Sequence, residues 1–298
     1  MPTGNLTMIK KILFVTKFEE LGFDAIKSLL SLRESGLEHI VFMYVIEREK
    51  VAMRRGVGYQ KDEAVRLKEA ANIRFIDWAE RLFELGMEVG VYIQVGGMAS
   101  EVAKAARKEE ADLVVIGRSG KSALEQFYSG STVTELIRRL PVPTLVYKPV
   151  PENPFAFGKP FQRPLLATDW SAASRKAVDY LISMKPLIEE VRVVHVIDEN
   201  AIEGDSAMGA QRARKDAKAK MEEICGRFEA AGIDARSHVY VGTPAEGLEK
   251  AARECLATMV ALGSSSKNRW VERWIGSVPQ EIAENSAYPT LLIPPDRE

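Results

Sequence analysis

The sequence has little of what several classes of protein require. Its 298 residues include two cysteines, Cys225 and Cys255, and three histidines, too few for a disulfide framework or a cysteine-rich zinc cage. The longest apolar run, Ile40 to Ile46, is far shorter than the roughly 20 residues that cross a bilayer. The first residues have no apolar core of a secretory signal, so we expect a cytoplasmic protein with no membrane partner.

The charge balance is almost neutral. Lys and Arg number 41 against 42 for Asp and Glu, so nothing global attracts nucleic acid. The fractions of hydrophobic residues (46%) and charged residues (28%) are those of a folded globular protein, which excludes disorder and collagen. One basic run, Arg212–Lys220, has helical spacing and acidic neighbours, so we interpret it as a solvated helix face.

The chain contains an internal sequence repeat. KILFVTKF (Lys11–Phe18) is repeated in kind by RPLLATDW (Arg163–Trp170), and DLVVIG (Asp112–Gly117) by TMVALG (Thr258–Gly263). Between the two units, four prolines in residues 149–160 exclude a helix interior or a central strand. We predict two tandem domains, 1–148 and 161–298, joined by a linker over 149–160.

Each half alternates short apolar runs with longer amphipathic stretches. The runs are continuous and rich in Val, Ile and Leu, which is typical of parallel strands covered on both faces. Strands are predicted near 11–16, 39–46, 88–95, 112–116 and 144–148, then at Pro164–Thr168, Val191–Ile197, Ala235–Val241, Thr258–Leu262 and Thr290–Ile293. Helices of the second half are predicted at Ala172–Lys185, Ala210–Ala231, Pro244–Glu254 and Val278–Ser286. The pattern predicts an α/β fold with two tandem, doubly wound, five-stranded parallel sheets.

In such sheets ligands bind at the carboxyl ends of the strands, where the strand order reverses. In the first half the loop after strand 4 reads Gly117-Arg118-Ser-Gly120-Lys121, then eight more residues before Gly130-Ser131-Thr132 opens a helix. Glycines admit an anion close to the backbone, and a helix N-terminus offers free N–H groups. The hydroxyls of Ser131 and Thr132 are additional hydrogen-bond donors, and Arg118 and Lys121 add positive charge. The loop therefore predicts phosphate binding, against the alternative of a simple turn between sheet and helix.

The corresponding loop of the second half differs at one glycine. It reads Gly263-Ser264-Ser-Ser266-Lys, and nine residues separate Ser266 from Gly276-Ser277-Val278. A serine where the backbone needs a positive φ is strained by roughly 1 kcal/mol, and its Cβ crowds a nearby phosphate.

The loops after strand 1 also differ between the halves, and here it is the second half that has the residue suited to a nucleotide. Thr168 and Asp169 of the second half end the strand with an acceptor that suits an adenine or a ribose, whereas Lys17 of the first half is a donor. An alternative role for Asp169 is to satisfy the start of the next helix.

These motifs together resemble the universal stress protein family. The resemblance rests on ATDWS after strand 1, VHVID at strand 2 and the glycine-serine loop after strand 4, and it covers nearly the whole chain. It implies an adenine nucleotide α-hydrolase-like fold with strand order 3-2-1-4-5 in each half. It also implies ATP or AMP as ligand, with Mg²⁺ accompanying ATP. The implied adenine-facing residues are Asp169 and Val196, with Val45 in the first half. The implied ribose and phosphate residues are Gly263, Ser266, Gly276, Ser277 and Val278, with Gly117, Gly120, Gly130 and Ser131 in the first half. Further candidate binding residues in the same loops are Thr168, Ser264, Arg118, Lys121 and Thr132.

The resemblance further implies that the last strands of the two halves pair edge to edge, as an internal pseudo-dimer. A homodimer of chains and an unidentified protein partner are compatible with it. The expected function is nucleotide-dependent regulation of a stress response. Because Lys17 and Ser266 depart from the family pattern, a nucleotide-free interaction module stays open as an alternative. A weak ATPase is a second alternative, since phosphates bound near Lys121 or Lys267 would be partly activated. Ser266 also motivates the hypothesis that the second half favours AMP over ATP.

No constellation for nucleophilic catalysis or metal binding is visible. His39, His195 and His238 lie in different predicted strands without zinc-ligand spacing. His195 is interpreted as a hydrogen-bonded histidine of the core, and both cysteines as buried thiols on helices.

Overall fold

The structure, a computed structural model, describes residues 9–18, 22–48, 61–117, 130–148, 159–198, 207–264 and 276–295. The strands are β1 (Lys11–Val15), β2 (His39–Glu47), β3 (Glu88–Gly96), β4 (Leu113–Gly117), β5 (Thr144–Tyr147), β6 (Pro164–Ala167), β7 (Glu190–Ile197), β8 (Asp234–Val241), β9 (Met259–Gly263) and β10 (Thr290–Ile293). The α-helices are α1 (Phe23–Leu29), α2 (Lys61–Phe83), α3 (Met98–Lys108), α4 (Gly130–Arg139), α5 (Ala172–Ser183), α6 (Ala207–Ala230), α7 (Pro244–Glu254) and α8 (Ser277–Asn285). Two 3₁₀ segments, Leu30–Ser35 and Lys185–Leu187, follow α1 and α5.

The described strands form one ten-stranded sheet in the order β3-β2-β1-β4-β5-β10-β9-β6-β7-β8. Within each half all neighbours are parallel, and the order is the expected 3-2-1-4-5. At the centre β5 and β10 run antiparallel, with Leu145 opposite Leu291. The expected edge-to-edge pairing of the last strands is therefore confirmed within one chain, and it covers the sheet edge that each half would otherwise expose.

Helices cover both faces of the sheet. One face packs against α1, α2, α5 and α6, and the other against α3, α4, α7 and α8. Continuously apolar strands suit this arrangement because side chains on both faces of the sheet are buried, as they are in β1 and β4. The strand order reverses at β1 in the first half and at β6 in the second. At each reversal two neighbouring strands, β1 and β4 or β6 and β9, end at the carboxyl edge of the sheet, and the loops that follow them start there.

Polar contacts reinforce the junction between the halves. The hydroxyl of Thr134 in α4 donates to Glu284 of α8, with 2.5 Å between Oγ1 and Oε1. The buried Lys148, just after β5, donates from Nζ to the carbonyl oxygen of Ser286. The two halves are thus joined by sheet, helix and side-chain contacts.

The predicted strands agree with the observed ones to within one residue at every end, but three other predictions need correction. The helix predicted to begin at Ala210 begins at Ala207. The helix predicted to reach Lys185 ends at Ser183, and a 3₁₀ turn containing Pro186 follows, because proline has no N–H to continue the helix. Cys225 is a buried thiol in α6 as predicted, but Cys255 lies one residue beyond α7 and is only half-buried. Leu256 has φ 52°, and this left-handed residue turns the chain out of the helix.

In the part of the chain that the structure describes, no helix is long and apolar enough to cross a membrane. The same residues contain no group of three or more His, Cys, Asp or Glu side chains placed to hold a metal ion.

Candidate functional site

The candidate site of the second half lies at the carboxyl edge, where β6 runs between β7 and β9. Ala167, the last residue of β6, is level with Val194 of β7 and with Leu262 of β9. Thr168 and Asp169 therefore emerge beside Val196 and Gly263, near the ends of those two neighbouring strands. The fold brings together four residues that the sequence predicts for one site, although they come from three separate strands.

The loop after β6 is fixed by its own backbone and side chains. The N–H of Thr168 donates to the carbonyl oxygen of Val194 at 3.0 Å, which extends the pairing with β7. Trp170 then adopts φ 66°, a left-handed conformation unusual for a bulky residue, and its N–H donates to the Thr168 hydroxyl at 3.3 Å. Ser171 caps α5, since its hydroxyl accepts from the N–H of Ser174.

Asp169 is held in this loop through one of its two carboxylate oxygens. Oδ1 accepts from the N–H of Ser171 at 3.0 Å, while Oδ2 bonds to no residue that the structure describes. The cap of α5 is Ser171, so Asp169 supports the turn before the helix and does not cap it. A half-buried carboxylate with one oriented oxygen is a fixed acceptor at the reversal of strand order.

A cluster of rings and cations that was not predicted from the sequence lies beside this loop. The ring of Trp170 lies 4.7 Å from that of His195, and Lys220 Nζ lies 5.5 Å from the Trp170 centroid. His195 also donates from Nδ1 to the Thr168 carbonyl oxygen at 2.8 Å, so the predicted hydrogen bond is confirmed, but this histidine is half-buried and not part of the core. Arg175 donates to the carbonyl oxygen of Trp170 at 2.6 Å. The signal available in the sequence was the paired placement of TDW and VHV at the ends of adjacent strands.

Gly263, at the end of β9, has a structural role whether or not a ligand binds. A Cβ at this position would lie 2.5 Å from the carbonyl carbon of Ala173 and 2.6 Å from the backbone nitrogen of Ser174. The glycine thus allows the first turn of α5 to pack against the end of β9. The hydroxyl of Ser264 is directed at β10, where it donates to the carbonyl oxygen of Ile293 at 3.3 Å.

The N-terminus of α8 supplies the second part of the predicted phosphate loop. Gly276 occupies the N-cap position without a side chain, Ser277 is exposed and Val278 is half-buried. The first N–H groups of a helix have no acceptor within that helix, and its dipole favours an anion there. Ser266 lies outside the described residues.

The first half places its predicted residues at the equivalent edge. Val45 is buried near the end of β2, and Gly117 ends β4 opposite Tyr147. Gly130, Ser131 and Thr132 form the first turn of α4, as predicted, but their side chains are not described. Arg118, Gly120 and Lys121 lie outside the described residues.

The loop after β1 repeats the backbone of the loop after β6 with a different side chain. Phe18 has φ 67°, and its N–H donates to the Thr16 hydroxyl at 2.7 Å. The ring of Phe18 contacts that of Tyr44 at 5.4 Å, with Arg74 5.0 Å from the Phe18 centroid. Between Thr16 and Phe18, the ammonium of Lys17 lies 2.8 Å from Glu47 Oε1.

The other two histidines are not part of these loops. His39 begins β2, at the opposite edge of the sheet, and burial lowers its pKa, with Lys11 as the second cause. His238 lies within β8, the outer strand of the second half, and burial followed by Arg192 lowers its pKa as well. Both imidazoles are therefore harder to protonate than an exposed histidine.

Comparisons with known proteins agree with the duplicated fold. The model of the universal stress protein family matches residues 8–148 and again 160–294. A curated relative, universal stress protein MJ0577 of Methanocaldococcus jannaschii, is 26% identical over 155 residues, which cover 47% of this chain and 96% of that protein. That relative corresponds to about one half of the present chain.

Solved structures match over the full length. The crystal structure of a universal stress protein from Archaeoglobus fulgidus DSM 4304 aligns with a TM-score of 0.75 and 23% identity, over 98% of this chain and 99% of that one. A functionally unknown protein from Pseudomonas aeruginosa PAO1, PA1789, aligns with a TM-score of 0.64 and 17% identity, over 98% and 94%. At these identities the likeness concerns the fold.

Proposed function

This chain belongs to the universal stress protein family, with the family unit present twice, and we propose that it is a regulatory protein that binds ATP or AMP at the carboxyl edge of its second half. Occupancy of that site would change the conformation of the chain or its affinity for a protein partner in a stress response. The observation that supports the proposal most strongly is Asp169, an oriented carboxylate at the reversal of strand order.

Asp169 fits an adenine because the exocyclic amino group of that base is a hydrogen-bond donor. One carboxylate oxygen is already bonded to the N–H of Ser171, so the side chain is oriented before any ligand arrives. The second oxygen is the acceptor that a purine amino group or a ribose hydroxyl requires. In this assignment Thr168 and Val196 flank the base, and Gly263 lies beside the ribose.

The start of α8 fits the phosphate end of the ligand. Gly276 leaves the N-terminus without a Cβ, so an anion can approach the N–H groups of Ser277 and Val278. Ser264, Ser266 and the cations Lys267 and Arg269 belong to the same loop in the sequence. When ATP is the ligand, Mg²⁺ would accompany its phosphates.

The wider assignments follow from the family and stay proposals. We place the domains at 1–148 and 161–298, with residues 149–160 as their linker. The regulatory output, a homodimer of chains and the cytoplasmic location are likewise predictions.

The test is the small-molecule content of the purified chain followed by calorimetry. Mass spectrometry of material released by denaturation identifies a co-purified nucleotide, and titrations with ATP, AMP and ribose 5-phosphate separate base recognition from phosphate recognition. Binding of ATP or AMP, but not of ribose 5-phosphate with equal affinity, supports the proposal. No heat at millimolar nucleotide would favour the nucleotide-free interaction module, and turnover above about 1 s⁻¹ would favour an enzyme.

A single substitution sharpens this test. Asp169→Asn keeps an oxygen for the Ser171 N–H but loses the charge, so we expect nucleotide affinity to fall by about 1.5–3 kcal/mol, the usual strength of a charged hydrogen bond. Asp216→Asn, at an exposed position of α6, is the matched control and should bind as the wild type does. Equal affinity of the Asp169→Asn variant and the control would remove Asp169 from the site.

A further inference from the structure

Lys17 occupies, in the first half, the position that Asp169 holds in the second. The backbones of the two loops agree: Phe18 has φ 67° and Trp170 has φ 66°. The preceding threonine donates from its N–H to the second strand of its own half at 3.0 Å in both cases, Thr16 to Met43 and Thr168 to Val194. The duplicated loops therefore differ chiefly in the side chain that stands at the predicted base-recognition position.

The ammonium of Lys17 is buried in an ion pair with the last residue of β2. Its Nζ lies 2.8 Å from Glu47 Oε1, and the Lys17 side chain is 6% exposed. The corresponding place after β7 is taken by another acid, Asp198. The second half thus combines two acids at these positions, whereas the first half combines an acid with a lysine.

This difference reverses the hydrogen-bonding character of the position. A lysine ammonium has three donors and no acceptor, so it cannot accept from the amino group of adenine. Separating Lys17 from Glu47 to admit a base would also break the ion pair of a largely buried ammonium, which is unfavourable. A site that mismatches a ligand's hydrogen bonds in this way discriminates against it by large factors.

We infer that Lys17 closes the first half to adenine nucleotides, so that the chain binds one adenine nucleotide, in its second half. This inference rests on the proposed function. It adds the residue that determines the stoichiometry, and it assigns the two copies of the duplicated unit different roles. The first half then serves as a fixed structural partner of the nucleotide-responsive half.

The experiment is a calorimetric titration of the full chain with ATP and with AMP. Wild type is expected to bind one equivalent. The Lys17→Asp variant recreates the two acids of the second half, and we expect a second equivalent, with affinity at the first half raised at least tenfold. A Lys17→Asp, Asp169→Asn double variant should keep the new site while the original one weakens, which assigns each site to its half.

Two further variants distinguish the effect of a new hydrogen-bond acceptor at position 17 from the effect of breaking the ion pair alone. Glu47→Gln breaks the ion pair but keeps the lysine, so it should still bind one equivalent. Lys17→Asn is uncharged and supplies an amide oxygen as acceptor. It should gain a weaker second site, and it serves if Lys17→Asp does not fold, as judged by circular dichroism and thermal melting.

The stoichiometries decide between the outcomes. Two equivalents on wild type would overturn the inference, and so would a folded Lys17→Asp and a folded Lys17→Asn that bind no more nucleotide than wild type does. A second site in Glu47→Gln equal to that in Lys17→Asp would also overturn it. If wild type binds nothing and Lys17→Asp binds one equivalent, the role of Lys17 in closing the first half is supported, and the proposed site in the second half fails. No binding to any variant overturns both.

Discussion

Gly263 at the end of β9 lies directly against Ala173 in the first turn of α5: a Cβ on Gly263 would be 2.5 Å from the Ala173 carbonyl carbon. The contact is to backbone, which cannot move aside as a flexible side chain can. The same glycine belongs to the motif from which a phosphate loop is predicted. Packing of helix against sheet is therefore sufficient to require a glycine at this position.

Gly263→Ala is expected to lower the free energy of unfolding by about 1–3 kcal/mol, as overpacking does. The matched control is Gly226→Ala in α6, where a Cβ meets nothing within 4 Å. Because glycine is unfavourable inside a helix, the control should gain roughly 0.5–1 kcal/mol. Urea denaturation of both variants provides the measurement, and a Gly263→Ala variant as stable as wild type would contradict the packing role.

Stability should decrease below neutral pH because of His39 and His238. Burial lowers the pKa of both imidazoles from their ordinary value of 6.5. The unfolded chain therefore binds protons at these positions before the folded chain does, and the free energy of unfolding falls as the pH drops through and below 6.5. Melting temperatures between pH 7 and pH 5 test this. The His39→Gln, His238→Gln double variant should show a shallower decrease, and a slope identical to that of wild type would be evidence against it.

The junction between the halves should couple their unfolding. Leu291 of β10 is fully buried opposite Leu145 of β5, so Leu291→Ala is expected to cost about 2–5 kcal/mol. The control, Leu85→Ala, changes a side chain that is 43% exposed and should alter stability by about 0.5 kcal/mol or less. Calorimetry should show a single transition that shifts as a whole. Two transitions, only one of which moves, would show that the halves unfold independently.

Most of the fold could be predicted from the sequence, because repeated motifs and apolar runs are local or periodic patterns. Repeated motifs such as those at Lys11–Phe18 and Arg163–Trp170 identified the duplication, and continuous apolar runs identified parallel strands. The rule that ligands bind where strand order reverses then placed Thr168 and Asp169 at the carboxyl edge, and the resemblance to the family added Val196. The error at Cys255 arose because a left-handed residue, Leu256, ends the helix without glycine.

The tertiary structure decided the contacts between residues that are distant in the chain. The partner of Lys17 is Glu47, the ring beside Trp170 is His195, and the neighbour of Gly263 is Ala173. No spacing in the sequence specifies these pairs, since each depends on which strands and helices become neighbours and on how deeply they are buried. Periodicity and repeated motifs therefore determined the two α/β units, and the resemblance supplied their strand order and pairing. The exchange of Asp169 for Lys17 is also visible in the sequence. That one is an oriented carboxylate and the other a buried ammonium paired with Glu47 depends on which strands lie side by side.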